Sequence, residues 1–186
     1  MNIQAISPAE ATDELREVYN TLERNRGKVA NLYEAQSLNP ETMMRNIDFN
    51  IELMFGGSPL KRYQKEMLAV IVSVYTDCDY SLAHHSEALA HYWKEEGRIQ
   101  SLVNDYKTAE IGRANRALCS YAEALTLNAN KSVIDQIVNR MKELKIEDRE
   151  ILDAAMIISY INFQVRLVKG LSVELEADGG VGYWYD

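Results

Sequence analysis

The sequence predicts an all-α protein, on three observations. Residues 60–96 and 113–169 contain neither glycine nor proline, and all three prolines precede residue 60. Within the first stretch Leu60, Tyr63, Met67, Val70, Ile71, Val74 and Tyr75 recur at helical spacing and form one apolar face. Two helix start signals stand ahead of it, Ser7-Pro8-Ala9-Glu10 and Asn39-Pro40-Glu41.

The elements follow in chain order. Ser7 as N-cap, Pro8 in the first turn and Glu10 three residues past the cap supply acceptors for amides that a helix start leaves unpaired. A helix is expected from there to about Asn25, with Gly27 beyond its end. A second should run from Asn39 to Gly56-Gly57-Ser58-Pro59. A third should follow Leu60; Val70-Ile71-Val72 and Val74 would also suit a buried strand, but length and context favour helix. Thr76-Asp77-Cys78-Asp79 is polar, holds two good cap residues and marks a junction. The next helix is expected from Cys78 to about Glu96, ending at Gly97. Asn128-Ala129-Asn130 and Ile146-Glu147-Asp148 divide the second glycine-free stretch. The last long helix then spans Asp148 to Lys169, with Gly170 as its stop. The expected organisation is one helical domain over residues 1–170, with a lead at 1–57 and a core at 60–170, followed by a tail at 171–186. The tail is acidic, then glycine-rich, then aromatic at Tyr183-Trp184-Tyr185, and those rings should pack on the body or on a neighbouring subunit.

Composition narrows the function. The 186 residues carry 20 Lys plus Arg against 28 Asp plus Glu, a net charge of −8, which argues against nucleic acid or an anionic membrane as partner. Hydrophobic residues make up 47%, too many for a disordered chain. No apolar run is expected to reach the roughly 18 residues of a membrane span. The N-terminal residues lack the basic-then-apolar pattern of a signal peptide. Cys78 and Cys119 are the only cysteines, so no disulfide framework is expected, and the setting reads as reducing and cytoplasmic. No cofactor is implied.

Chemistry-bearing residues concentrate in Glu66 … Cys78-Asp79-Tyr80-Ser81-Leu82-Ala83-His84-His85. If Asp77 caps the helix, Cys78 lies in its first turn, where the dipole and free amides favour thiolate. Cys78, Ser81 and His85 then share a face, with Ser81 one turn from His85. Glu66 lies on the preceding helix, and a turn at Asp77 is needed to swing its carboxylate toward that face.

The spacing Leu60-x5-Glu66-x11-Cys78-x2-Ser81-x3-His85 resembles the core motif of the alkylhydroperoxidase D and carboxymuconolactone decarboxylase superfamily, in which Glu-x11-Cys-x2-Cys-x3-His is usual. The pair His84-His85 and a late helix containing Ile161-Asn162-Phe163-Gln164-Val165-Arg166 make the chain similar to the "peroxidase-related" branch. The resemblance implies an AhpD-like helical bundle that assembles as a dimer, trimer or hexamer. It also implies a small-molecule substrate and thiol chemistry toward organic or hydrogen peroxide. Glu66 and His85 would relay protons and Cys78 would be the resolving thiol. The attacking position holds Ser81, whose hydroxyl forms no disulfide and is a far weaker nucleophile toward peroxide. Turnover at Cys78 would therefore need an external thiol reductant.

Other readings stay open at this point. The decarboxylase type of the superfamily needs no cysteine pair, and Glu66 with His85 would then move protons on a small lactone or anion. A non-catalytic ligand-binding oligomer is the third reading. Ser81, His85 and Glu66 are also the elements of an activated hydroxyl, though no oxyanion hole is apparent. His84, Glu87, His91 and Glu95 form a stripe that reads as solvated surface rather than a metal site. Cys119 reads as a buried small hydrophobe. Tyr80, His84, Asn162 and Arg166 are expected pocket-lining residues, with Arg166 steering an anionic substrate.

Overall fold

The computed structural model describes residues 1–185, Glu96 by its backbone alone. The described residues form nine helices and no strand: α1 (Asp13–Arg26), α2 (Asn31–Glu34), α3 (Pro40–Phe55), α4 (Arg62–Tyr75), α5 (Asp79–Trp93), α6 (Glu96–Asp105), α7 (Arg113–Thr126), α8 (Lys131–Glu143) and α9 (Asp148–Leu171). The protein is all-α, as its sequence predicts. The last residue of the expected tail, Asp186, lies outside the described residues.

Helix α4 is the axis of the fold, packed against α5, α7 and α9. Every residue from Lys65 to Ser73 is buried. That explains the strand-like Val70-Ile71-Val72 run: a helix buried along its middle takes apolar residues there beyond its one apolar face. The buried Lys65 ammonium is satisfied by the carbonyls of Leu53 at 2.8 Å and Gly56 at 3.1 Å, which ties the end of α3 to α4. A smaller apolar cluster, including Leu15, Val18, Tyr19, Leu22, Met43 and Ile47, holds α1 against α3.

Several boundaries differ from expectation. Ser7 does use Glu10, whose Oε2 accepts from the Ser7 amide at 3.3 Å and hydroxyl at 2.7 Å, but this closes a single turn. The helix begins only at Asp13, whose φ of 48° interrupts a continuous start. Helix α3 starts as expected, with the Asn39 side chain accepting from the Thr42 amide. Helix α5 ends at Trp93, with Lys94 left-handed, and Gly97 falls inside α6. Helix α9 runs through Gly170 and is closed by Ser172 at φ 50°.

The expectation about apolar runs needs correction. Helix α9 has 24 residues and a window of mean hydropathy 1.4, long and apolar enough by length and composition to cross a membrane. Half of that window is buried against the other helices. Its apolar character belongs to a core helix, with Ile157, Ile158 and Ile161 almost fully enclosed.

Residues 173–185 fold back as a strap over α1 and α5. Asn31 and Tyr80 both donate to Glu176 Oε1, at 2.7 and 2.9 Å, and His84 Nε2 lies 2.8 Å from Glu176 Oε2. Lys28 pairs with Asp178 at 2.6 Å, and the Trp184 amide donates to the Arg26 carbonyl at 3.1 Å. The tail aromatics therefore pack on the body of the same chain. Gly27 permits this: it sits at φ 85°, and a Cβ there would stand 3.0 Å from the Trp184 indole nitrogen.

Candidate functional site

The turn at Asp77, with φ 50°, reverses the chain between α4 and α5 and lays the two helices side by side. This brings Glu66 to His85. His85 Nδ1 lies 2.6 Å from Glu66 Oε2, and Arg62, one turn before Glu66, bonds to the other carboxylate oxygen through Nη1. Glu66 is only 2% exposed. Burial pushes its carboxyl up, but the charges of Arg62 and His85 and the hydrogen bonds from both prevail and hold it at about 2. It is a carboxylate and can only accept, so His85 Nδ1 carries the hydrogen of that bond and Nε2 faces the remaining surroundings.

A cavity of about 130 Å³ opens beside this pair. Its lining includes Glu66, Tyr80, Ser81, His84 and His85, with apolar walls from Ile51, Met54, Phe55, Ile161, Val165 and Val168. Such a volume approaches the roughly 150 Å³ that accommodates a benzene ring in a protein core. Tyr183 and Tyr185 of the strap close one side. Arg26 and Arg62 both stack on Phe55, their guanidinium carbons 4.5 and 4.2 Å from the ring centre.

The candidate residues sort clearly. Glu66, Ser81, His85, Tyr80 and His84 come together at the cavity. Cys78 does not line it. It is the N-cap residue of α5, a position assigned to Asp77 from sequence, and it is buried. Burial pushes its thiol up, against the lowering effect of the Ser81 and Tyr80 amides and of Lys169. At this helix start desolvation outweighs the terminus, which disfavours the thiolate that the helix start alone would favour. Cys119 is fully enclosed, and burial raises its thiol strongly.

Asn162 and Arg166 also lie outside the lining. Arg166 donates to the Asn162 carbonyl and side-chain oxygen at 2.8 and 2.9 Å on the outer face of α9, while Asn162 donates to Thr126 at 3.0 Å. The cavity face of α9 instead carries Gln164. Ser81 does not bond to His85. Ser73 Oγ lies 2.7 Å from both the Ala69 carbonyl and Ser81 Oγ. A hydroxyl has one hydrogen and a carbonyl can only accept, so Ser73 donates to Ala69 and Ser81 donates to Ser73.

The stripe His84, Glu87, His91, Glu95 is dispersed among separate partners. His84 lies against Tyr80, Glu176 and Tyr183, and His91 against Tyr92 and Tyr185. Residues that sequence reasoning did not place at the site are Arg26, Arg62, Phe55, Gln164, Tyr183 and Tyr185. Only Arg62 left a signal, its i, i+4 spacing to Glu66.

No protein-family model and no curated protein matches the sequence. Solved structures do match in fold. An uncharacterized peroxidase-related protein from Ralstonia eutropha, described as an alkylhydroperoxidase AhpD core, superposes with a TM-score of 0.83 at 18% identity, over 96% of this chain and 94% of that one. An uncharacterized peroxidase-related protein from Silicibacter gives 0.78 at 23% identity, over 91% and 88%. A cysteine-to-alanine variant of the debrominase Bmp8 in complex with 2,3,4-tribromopyrrole gives 0.79 at 17% identity, over 96% and 94%. The chain has the AhpD-like helical fold.

Proposed function

We propose that the protein is a general acid–base enzyme that moves a proton at carbon on a small, ring-sized, largely apolar molecule. One observation carries this reading: the Glu66–His85 pair borders an apolar cavity from which the reactive-thiol candidate, Cys78, is excluded. Glu66 fixes the imidazole through Nδ1 and stabilises the imidazolium formed when Nε2 takes a proton. Arg62 keeps Glu66 ionised, so the relay stays in the orienting role. The apolar walls beside the pair lower the local dielectric and strengthen both interactions. A related fold is solved with a brominated pyrrole, which supports a one-ring ligand here.

Peroxide reduction by Cys78 with an external thiol is the second reading, favoured by the fold shared with peroxidase-related proteins. It requires the Cys78 thiol to be ionised and reached by peroxide, and its burial opposes both.

One experiment separates the two. Deuterium incorporation from solvent is followed by NMR for α-angelica lactone and phenylpyruvate, beside consumption of cumene hydroperoxide in the presence of dithiothreitol. Wild type should accelerate exchange, His85→Gln should lower the acceleration at least about 100-fold, and Cys78→Ala should leave it unchanged. Hydroperoxide consumption lost in Cys78→Ala, with no exchange in wild type, overturns the acid–base reading.

A further inference from the structure

Four residues that line the cavity each carry a buried side-chain polar atom with no hydrogen-bond partner within the described protein: Arg62 Nε, Gln164 Oε1, Tyr183 Oη and Tyr185 Oη. These residues come from three separate parts of the chain, α4, α9 and the strap, that meet at one cavity. Buried polar groups are rarely left unpaired, because each costs about 1–3 kcal/mol of desolvation. Their partner is to be sought in what the cavity binds. Three of the four can donate, and one can only accept.

The charges around the cavity are unbalanced in the same sense. Lys28 is paired with Asp178, His84 with Glu176, and Arg62 and His85 with Glu66. Arg26 lines the same space and stacks on Phe55, and no carboxylate among the described residues lies within ion-pair distance of it. Burial pushes its guanidinium down, a cost that a bound anion would offset. Among the described lysines, arginines and histidines that line the cavity, Arg26 is the one without a carboxylate in ion-pair distance.

We infer that the cavity binds a one-ring aromatic carboxylate, with the carboxylate held between the Arg26 fork and Arg62 Nε and the ring against Met54, Ile161, Val165 and Val168. The inference rests on the proposed ring-sized ligand and adds its charge and its anchor. Guanidinium suits a planar carboxylate because its donors match both oxygens, and Arg62 has Nε left after Nη1 is engaged by Glu66. The tyrosine hydroxyls of the strap would cap the ligand, and Gln164 Oε1 would accept from a ring substituent. The role that sequence reasoning gave to Arg166 on the last helix is thus taken by Arg26 on the first.

The test is titration of the full chain with benzoate, its neutral counterpart benzamide, and benzyl alcohol, read by calorimetry and ligand-observed NMR. Benzoate should bind at least about tenfold more tightly than benzamide. Arg26→Met, which keeps an unbranched stem over Phe55, should abolish that preference, Arg26→Lys should retain part of it, and Arg166→Met should leave it intact. Melting curves of the variants show whether each is folded. Equal affinities for benzoate and benzamide in wild type, or an undiminished preference in folded Arg26→Met, overturn the inference. Binding of benzyl alcohol but not benzoate overturns the anion assignment alone. Binding of none of the three overturns the ring-sized cavity reading along with it.

Discussion

Replacing Glu66 by Gln removes one negative charge that Arg62 and His85 share. The Glu66 carboxyl sits at about 2 against an ordinary value of 4.5, so its ionised form contributes roughly 3 kcal/mol to folding. Because the folded value is the lower one, that contribution is complete above pH 4.5 and is lost as pH falls toward 2. The amide retains one acceptor, for Arg62 or for His85, and presents an NH2 where the second oxygen was. A largely buried guanidinium then loses its counter-charge, which costs a similar few kcal/mol. For a chain of this length about 3 kcal/mol corresponds to a melting temperature lower by about 6–12 °C at pH 7. The assay is calorimetric melting of wild type and Glu66→Gln at pH 7, 5, 4 and 3. Glu176, also held at about 2, is common to both proteins, so its acid titration cancels in the difference. The gap should be largest at pH 7 and 5 and shrink at pH 4 and 3. A gap that is constant with pH, or absent at pH 7, would mean that Glu66 is not the ionised centre of this site.

Two further outcomes follow from burial and backbone geometry. Both thiols should resist alkylation by iodoacetamide at pH 7 until the protein unfolds, since burial raises Cys78 as well as Cys119; peptide mapping that finds Cys78 alkylated in the folded protein faster than free cysteine contradicts this. Gly27→Ala should destabilise by about 1–3 kcal/mol and loosen the strap, because it imposes a left-handed conformation on alanine and presses a methyl on Trp184. Unchanged melting and unchanged tryptophan fluorescence in that variant would show that the strap does not depend on this approach.

The fold was readable because helices announce themselves locally. Asn39 and Asn130 do cap α3 and α8 with their side chains, and the glycine-free stretches are helical. The boundaries that moved did so where a non-glycine residue accepts a left-handed conformation, at Asp13, Lys94 and Ser172, which sequence does not mark. Half of the site was readable as well. Glu66 and His85 are 19 residues apart on consecutive helices, and a single reversal at Asp77 suffices to join them. The other half comes from long range. Arg26, Gln164 and Tyr183 owe their place to packing of α1, α9 and the strap, for which no local pattern exists. Asn162 and Arg166 illustrate the converse: their spacing is right for a pair, and they do pair, but the packing of α9 turns Asn162 to Thr126 of α7 and Arg166 to the surface.

Ser81 shows why a matching motif does not transfer its chemistry. At this position a cysteine would place a thiol on the cavity wall, within one turn of the Glu66–His85 pair. The serine hydroxyl instead spends its hydrogen on Ser73, which spends its own on the Ala69 carbonyl, so the chain of hydrogen bonds runs into α4 and away from the imidazole. Ser81 is therefore engaged with Ser73 rather than with His85, which does not favour the activated-hydroxyl reading. Cys78, at the same helix start, is desolvated and outside the lining. With no thiol in the lining, the cavity presents a fixed imidazole, an ionised carboxylate behind it and a cationic stack on Phe55. In the proposed acid–base reading, proton transfer would begin at His85, whose Nδ1 is held by Glu66.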